Sequence, residues 1–168
     1  TTGLDFMTGT GHVSVSIKNI LSDALVAKDV KGKIIPALAK SWEISNAGLT
    51  YTFKLNEKAR FHNGEPVTAE DVKYSLERMM RPELKQTFGG ELKKFVKSIE
   101  VVDDHNLVIH LNQIYPAFLD RHAEYWGVGP KKYIESVGDK GYQDKPISCG
   151  PFKLVKFSFQ EYIDAEAV

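Results

Sequence analysis

The chain has 168 residues, of which 42% are hydrophobic and 26% are charged, so it is long enough to bury a core. Its 22 basic residues balance its 22 acidic residues without a block of like charge, which argues against a nucleic-acid partner or a polybasic membrane patch. The single cysteine, Cys149, excludes an internal disulfide and a cysteine-based zinc cluster, and we interpret it as a packed apolar residue.

The first predicted elements are a helix and a hairpin. Apolar residues recur at spacings of three and four, which predicts an amphipathic helix that begins near Ser14 or Ser16 and continues to Leu25. Residues 42–44 and 50–55 alternate apolar and polar side chains on either side of a turn rich in small residues. This alternation predicts two antiparallel strands with one buried face.

A second turn and a second helix follow the hairpin. Asn63-Gly64 has the composition of a tight turn. Thr68, followed by the acidic pair Glu70-Asp71, predicts a capped helix start, because its hydroxyl can accept from an early backbone amide. Apolar residues then continue at helical spacing to Met79, so we expect this helix to cover one face of the sheet.

The second half of the chain predicts a further hairpin, two helices and a strand. Residues 95–102 and 107–111 flank a polar tip, as the strands of a hairpin do. Residues 116–125 and 130–138 have helical patterns, and the second begins at a proline. A strand is predicted at residues 152–157. The pattern indicates a mixed α+β chain with an antiparallel sheet between two outer segments.

Several motifs follow one another in an order that resembles a known family. They are Leu-Ala-Lys-Ser-Trp-Glu-Ile-Ser at residues 38–45, Phe-His-Asn-Gly at residues 61–64 and Val-Thr-Ala-Glu-Asp-Val at residues 67–72. Together they resemble family 5 of the extracellular solute-binding proteins, which serve oligopeptide, dipeptide and nickel ABC transporters. Cys-Gly-Pro-Phe at residues 149–152 is similar to the family's Thr-Gly-Pro-Tyr, although the cysteine departs from it, as does Phe6 where proline is common.

The resemblance implies part of a two-lobed α/β fold of the periplasmic-binding-protein type. Residues 1–36 are then expected to form part of the main lobe I, and residues 37–147 an inserted α+β subdomain of that lobe. Residues 148–168 are expected to form the return strand into lobe I. Lobe II has no counterpart here, so we expect the N-terminal portion of a longer receptor.

The function implied by the resemblance is that of the substrate-binding component of an ABC importer. Such a receptor captures peptides or a similar small solute outside the cytoplasmic membrane and delivers it to the permease. We expect it to be noncatalytic and to need no cofactor. Its expected location is periplasmic or extracytoplasmic, associated with the membrane through the permease or a lipid anchor before Thr1. Without lobe II, this chain is not expected to bind the solute by itself.

The candidate ligand-binding residues lie in one loop and at one aromatic side chain. The loop is Thr8, Gly9, Thr10, Gly11 and His12, whose glycines permit close backbone approach and whose amides lead to a helix N-terminus. An ordinary polar loop is the alternative interpretation. By resemblance, Phe88 borders the mouth of the ligand cleft, while a buried anchor for its loop is the alternative.

Enzymatic and metal-binding functions have less support from the residues. The five histidines are not spaced to place two imidazoles on one helical face, and we interpret them as surface or sheet-face residues: His12, His62, His105, His110 and His122. No nucleophile and base occur in a recognised motif. A hydrolase therefore stays a weak alternative, and an independent protein-interaction module a stronger one.

Overall fold

The computed structural model describes residue 5 and residues 12–84, 87–158 and 162–168, with the backbone alone for residues 12–16 and 87. The helices are α1 His12–Leu21, α2 Ala69–Met79, α3 Thr87–Phe95, α4 Phe118–Tyr125 and α5 Lys131–Asp144, with short 3-10 turns at Asn46–Gly48 and Pro82–Leu84. The strands are β1 Val26–Lys28, β2 Ile34–Pro36, β3 Ala39–Ser45, β4 Thr50–Leu55, β5 Val96–Asp103, β6 Asn106–Leu111, β7 Phe152–Ser158 and β8 Tyr162–Ala167. Within these ranges no helix is long and apolar enough to cross a membrane.

A four-stranded antiparallel sheet lies at the centre of the chain, with strand order β3-β4-β6-β5. Tyr51 of β4 lies opposite Ile109 of β6, and Phe53 lies opposite Leu107. All four side chains are buried, because alternate residues of a strand point to the same face. The two predicted hairpins are confirmed. The pairs β1-β2 and β7-β8 form two further, two-stranded sheets.

Helix α2 contributes to the apolar core that the sheet forms. Its Val72, Leu76 and Met79 belong to the same buried cluster as the inward residues of β4. The predicted start at Thr68 is confirmed: the Thr68 amide donates to Asp71 Oδ2 at 2.9 Å, and the Asp71 amide donates to Thr68 Oγ1 at 3.4 Å. This reciprocal capping box satisfies two backbone donors that a helix start would otherwise leave unpaired.

The prediction for the first helix was wrong at both ends. Helix α1 begins at His12 and ends at Leu21 instead of continuing to Leu25. The chain leaves the helix because the backbone of this segment bonds elsewhere: the Leu25 carbonyl accepts from the Ala39 amide at 2.9 Å. The apolar spacing continues past the helix because Leu25 is buried although it lies outside the helix, and burial alone does not identify a helix.

The later helices also differ from their predicted bounds. Helix α4 begins at Phe118, two residues after the predicted start. Helix α5 passes through the predicted end at Gly138 and continues to Asp144, with Gly138 at φ 72° and ψ 174°. Glycine tolerates this conformation, so it kinks the helix instead of ending it. The second part of α5 thereby keeps Tyr142 fully buried.

The segment at residues 148–150 joins the end of α1 to the loop before α2. The Gly150 amide donates to the Leu21 carbonyl at 3.0 Å, and the Ser148 hydroxyl donates to the same oxygen. His62 Nε2 donates to the Gly150 carbonyl at 2.9 Å. A Cβ atom on Gly150 would lie 2.5 Å from the Leu21 carbonyl carbon and 2.6 Å from the Ser22 nitrogen. Only glycine fits here without moving backbone.

The first prediction concerns this close approach. Gly150→Ala should lower the free energy of unfolding by about 1–3 kcal/mol or more, because the methyl group overlaps backbone atoms that cannot rotate away. Gly90→Ala is the matched control, since a Cβ atom on Gly90 in α3 meets nothing within 4 Å. It should be neutral or stabilising by up to about 1 kcal/mol, because alanine favours helix. Urea denaturation measures both, and equal stabilities of the two variants would refute the steric argument.

Candidate functional site

The predicted ligand loop is described only at its end. Thr8, Gly9, Thr10 and Gly11 lie outside the described residues. His12 is the first residue of α1. The amides of a helix start are unpaired within the helix and favour carbonyl or anionic groups. The ligand-binding role of these five residues stays a prediction.

A buried ion pair fixes the chain just before this loop. Asp5 lies three residues before Thr8, and its Oδ2 accepts from Arg78 Nη2 of α2 at 2.8 Å. Both side chains are essentially buried, with exposed fractions of 2% for Asp5 and 0% for Arg78. Arg78 also donates from Nε to Asp139 of α5 at 2.9 Å. One guanidinium therefore joins the N-terminal segment, α2 and α5.

The environment of Arg78 keeps it charged although it is buried. Burial lowers the pKa of Arg78, but the hydrogen bonds and negative charges of Asp5 and Asp139 outweigh burial and raise that pKa above its ordinary value. The Tyr142 ring lies 5.5 Å from the guanidinium carbon. Among the described residues, the Nη1 group has no hydrogen-bond partner. The bonds to two carboxylates are therefore what compensates for the buried charge.

Phe88, the second predicted ligand contact, packs against α4. Its ring stacks on the Tyr125 ring at a centroid distance of 3.8 Å. The Arg121 guanidinium carbon lies 5.8 Å from the Phe88 ring centre and 5.4 Å from that of Tyr125. Phe88 is neither fully buried nor fully exposed, so it combines an anchoring contact with partial exposure to solvent. Its place at the cleft mouth stays a prediction.

Two further polar groups complete this aromatic cluster, and the sequence did not identify them. The Tyr115 hydroxyl donates to Glu91, and Arg121 Nε lies 3.8 Å from the same carboxylate oxygen. Burial, together with the bond to Glu91, raises the pKa of Tyr115 to about 12. Arg121 and Tyr125 lie four residues apart on α4, which places them on one face. That four-residue spacing was the sequence signal that could have indicated the Arg121–Tyr125 part of the cluster.

A contact between α1 and α4 connects the two predicted parts of the site. Lys18 Nζ of α1 donates to the Glu124 carbonyl of α4 at 3.1 Å. Lys18 lies six residues after His12, or about 9 Å further along the helix axis. Glu124 is the neighbour of Tyr125, on which Phe88 stacks. The helix that begins at the predicted loop therefore packs against the helix that carries the aromatic cluster.

The expectation that every histidine lies at the surface or on a sheet face was wrong for His122. Its side chain is fully buried, with its ring centroid 5.0 Å from that of Trp126 and 6.1 Å from that of Phe53. Burial lowers the pKa of His122 to about 3, so the ring is neutral at ordinary pH. In the described part of the chain, neither ring nitrogen has a hydrogen-bond partner. Within the same part, no group of three or more His, Cys, Asp or Glu side chains is placed to hold a metal ion.

Cys149 packs as expected. It is 9% exposed, and its thiol lies 3.7 Å from the Val128 carbonyl. Burial raises the pKa of the thiol to about 12, so it is protonated and a poor nucleophile at neutral pH. The described geometry therefore gives this cysteine a packing role.

Comparison with known proteins defines the class to which this fold belongs. The chain has the mixed α/β fold, with antiparallel sheets, of part of a periplasmic solute-binding protein. The family model described as bacterial extracellular solute-binding proteins, family 5 Middle, matches residues 33–168. The chain belongs to this family, as the sequence motifs predicted.

Solved structures and a curated relative give the extent of the similarity. The protein AgaA of A. tumefaciens R10, in complex with agropinic acid, has a TM-score of 0.89 and 31% identity, covering 98% of this chain and 33% of that one. The protein OppA of Haemophilus influenzae, in complex with the peptide RPPGFSPFR, has a TM-score of 0.90 and 26% identity, covering 98% and 36%. The glutathione-binding protein GsiB of Pectobacterium atrosepticum is 29% identical over 167 residues, covering 98% of this chain and 32% of the relative. The chain thus spans 28–32% of the length of such curated relatives.

The second prediction concerns the buried ion pair. Arg78→Leu should lower the free energy of unfolding by about 3–5 kcal/mol, because it leaves the Asp5 carboxylate buried without its cation. Arg81→Leu is the matched control, since Arg81 lies on a partly exposed surface against the Tyr74 ring. It should cost less than about 1 kcal/mol. Equal costs in urea denaturation would show that the Arg78 pairing is energetically unimportant.

The third prediction concerns His122 and pH. Its pKa is about 3 in the folded chain and about 6.5 when unfolded, so the unfolded state binds the extra proton as pH falls below that higher value. The free energy of unfolding should therefore fall by up to about 1.4 kcal/mol for each unit that pH drops between these two pKa values. His122→Leu should remove this contribution, whereas His105→Gln at the β5–β6 hairpin tip should retain it. Denaturation at several pH values measures the slopes, and an unchanged slope in His122→Leu would contradict the assignment.

Proposed function

We propose that this chain is part of the first lobe of the substrate-binding component of an ABC importer. The whole receptor captures peptides or a similar small solute outside the cytoplasmic membrane and hands it to the permease. Its role is binding without catalysis, and its partners are the solute and the permease subunits. The alternative of an independent interaction module has no described feature that favours it.

One observation carries this proposal. In each case 98% of the chain superposes on receptors whose solutes differ, a nonapeptide in one case and agropinic acid in another, with TM-scores of 0.90 and 0.89. A common lobe that accompanies different solutes is a binding scaffold, since a shared reaction would require shared substrate chemistry. Glutathione is itself a peptide, and it is the solute in the name of the relative GsiB. These names support a solute with peptide-like groups.

The proposed division of the chain follows its sheets. Residues 1–36 belong to the main part of lobe I and residues 148–168 return to it, while residues 37–147 form the inserted subdomain. The four-stranded sheet from β3 to β6 lies wholly within that inserted range. Hydrogen bonds from Leu38 to Ala24 and from Ala39 to Leu25 support a close junction at the first boundary.

The proposed mechanism is closure of two lobes around the solute. Backbone amides at residues 8–12 contact carbonyl or anionic groups of the solute, and Arg78 holds the chain before them through Asp5. The Phe88 edge contributes an apolar contact at the cleft mouth. Closure requires contacts from both lobes, because a ligand shifts a conformational equilibrium only by its differential affinity for the two states.

The fourth prediction compares this chain with the product of the complete reading frame that encodes it. Titration calorimetry with trialanine and with a nine-residue peptide should detect stoichiometric binding by the complete product. If half of the contact free energy is lost, a Kd of about 1 μM becomes about 1 mM, so the 168-residue chain should bind roughly a thousandfold more weakly.

Two outcomes would contradict the proposal. Equally tight binding by the 168-residue chain would show that it is a complete binding module. Cleavage of the peptide during the titration, detected by mass spectrometry, would indicate a hydrolase. Circular dichroism of both proteins is the control, because loss of fold would also abolish binding.

A further inference from the structure

A cavity of about 220 Å3 opens between the end of α1, strand β1 and helix α4. A water molecule occupies about 30 Å3 in the liquid, so the cavity has room for several waters or for one small organic molecule. Four charged side chains line it, two from the α1 region and two from the facing elements: Lys18, Asp23, Lys28 and Glu124. Asn19 and Ser22 add neutral polar groups to its wall.

Lys18 lines this cavity with an incompletely bonded ammonium group. The residue is only 3% exposed, and its one described hydrogen bond is to the Glu124 carbonyl at 3.1 Å. An ammonium has three donors, and Lys18 forms no salt bridge with any described carboxylate. Burial lowers the pKa of Lys18 to about 8, which leaves it mainly charged at neutral pH. A buried cation with free donors is costly unless a ligand or ordered water bonds to them.

Asp23 presents the opposite charge to the same cavity. It is partly buried, and its backbone carbonyl accepts from the Val128 amide at 3.3 Å. Across the described residues, its carboxylate takes part in no hydrogen bond or salt bridge. Burial is the main influence and raises the pKa of Asp23, although the Lys18 charge lowers it in part. The two charges therefore attract each other, and the described contacts include no direct pair between them.

The other two charges already neutralise each other. Lys28 Nζ pairs with Glu124, and it also lies 2.9 Å from Asp120. The two lysines and two acids that line the cavity sum to zero charge. A simple anion or cation would satisfy one of the two unpaired groups and repel the other, whereas a dipolar solute satisfies both.

We propose that this cavity binds a small zwitterion of the free amino acid class, with the solute carboxylate on Lys18 and the solute ammonium on Asp23. The described lining of this site comes from residues 18–28 and 123–124, and its chemistry does not depend on the transport function. Two charge-assisted hydrogen bonds, each stronger than a neutral one, orient the solute in a single direction. The uncharged polar groups of Asn19 and Ser22 accept solutes with short side chains.

The experiment uses the full 168-residue chain and three probes of nearly equal size. Glycine carries both charges, glycinamide carries the ammonium alone, and acetate carries the carboxylate alone. Chemical-shift titration by NMR should show that glycine binds about tenfold or more tightly than either single-charge probe, because loss of one charge-assisted hydrogen bond costs at least the roughly 1.4 kcal/mol that corresponds to a factor of ten. Glycine should also raise the pKa of the Lys18 ammonium, followed through its side-chain carbon signals.

Substitutions test the assigned roles. Lys18→Met and Asp23→Asn should each abolish the preference for glycine over the corresponding single-charge probe. Lys40→Met is the matched control, since Lys40 is exposed, pairs with Glu57 and does not line the cavity. It should leave glycine binding unchanged. Circular dichroism checks the fold of each variant, and the three-probe comparison on the unsubstituted chain stands even if a variant fails to fold.

Three results would overturn the proposal. The first is an equal response of the unsubstituted chain to glycine, glycinamide and acetate. The second is unchanged glycine binding in Lys18→Met. The third is the absence of any shift at residues around the cavity on addition of glycine, which would assign the unpaired donors to ordered water alone.

Discussion

The buried charge of Arg78 is the constraint on which the arrangement of this chain depends most. Arg78 belongs to the helix that completes the apolar core, so it enters the core together with Leu76 and Met79. A guanidinium buried away from water needs carboxylates to offset its lost hydration, and Arg78 pairs with Asp5 and Asp139 in two other segments. Packing of α2 into the core therefore also positions Asp5. The predicted loop begins three residues beyond that fixed point.

The parts of the fold that could be predicted are those set by local rules. The alternation of Tyr51 and Phe53 with polar neighbours specified a half-buried strand, and Thr68 with its following acids specified a helix start. The order of these motifs also identified the family, because each motif can be recognised from its own neighbouring residues. Sequence reasoning worked where one residue and its near neighbours decide the outcome.

The errors occur where distant residues decide. Leu25 continues the helical spacing of α1, yet its carbonyl accepts a hydrogen bond from the Ala39 amide. No local sequence pattern indicates that partner. His122 has a polar ring on a helix with charged neighbours, yet the helix turns that face toward Phe53 and Trp126. The aromatic cluster of the candidate site is similar, since Phe88 meets Tyr125 from a different helix. Contacts between residues distant in sequence determine each of these three features, and composition or periodicity could not predict them.

Helix α1 connects the proposed functions physically. Its first residue, His12, adjoins the predicted loop, Lys18 lines the cavity, and the Leu21 carbonyl accepts from Gly150. A solute in the cavity would bind only the folded arrangement, so it would stabilise the position of α1 by mass action. Because a helix of ten residues is stiff over its length, a restraint at Lys18 is also a restraint at His12.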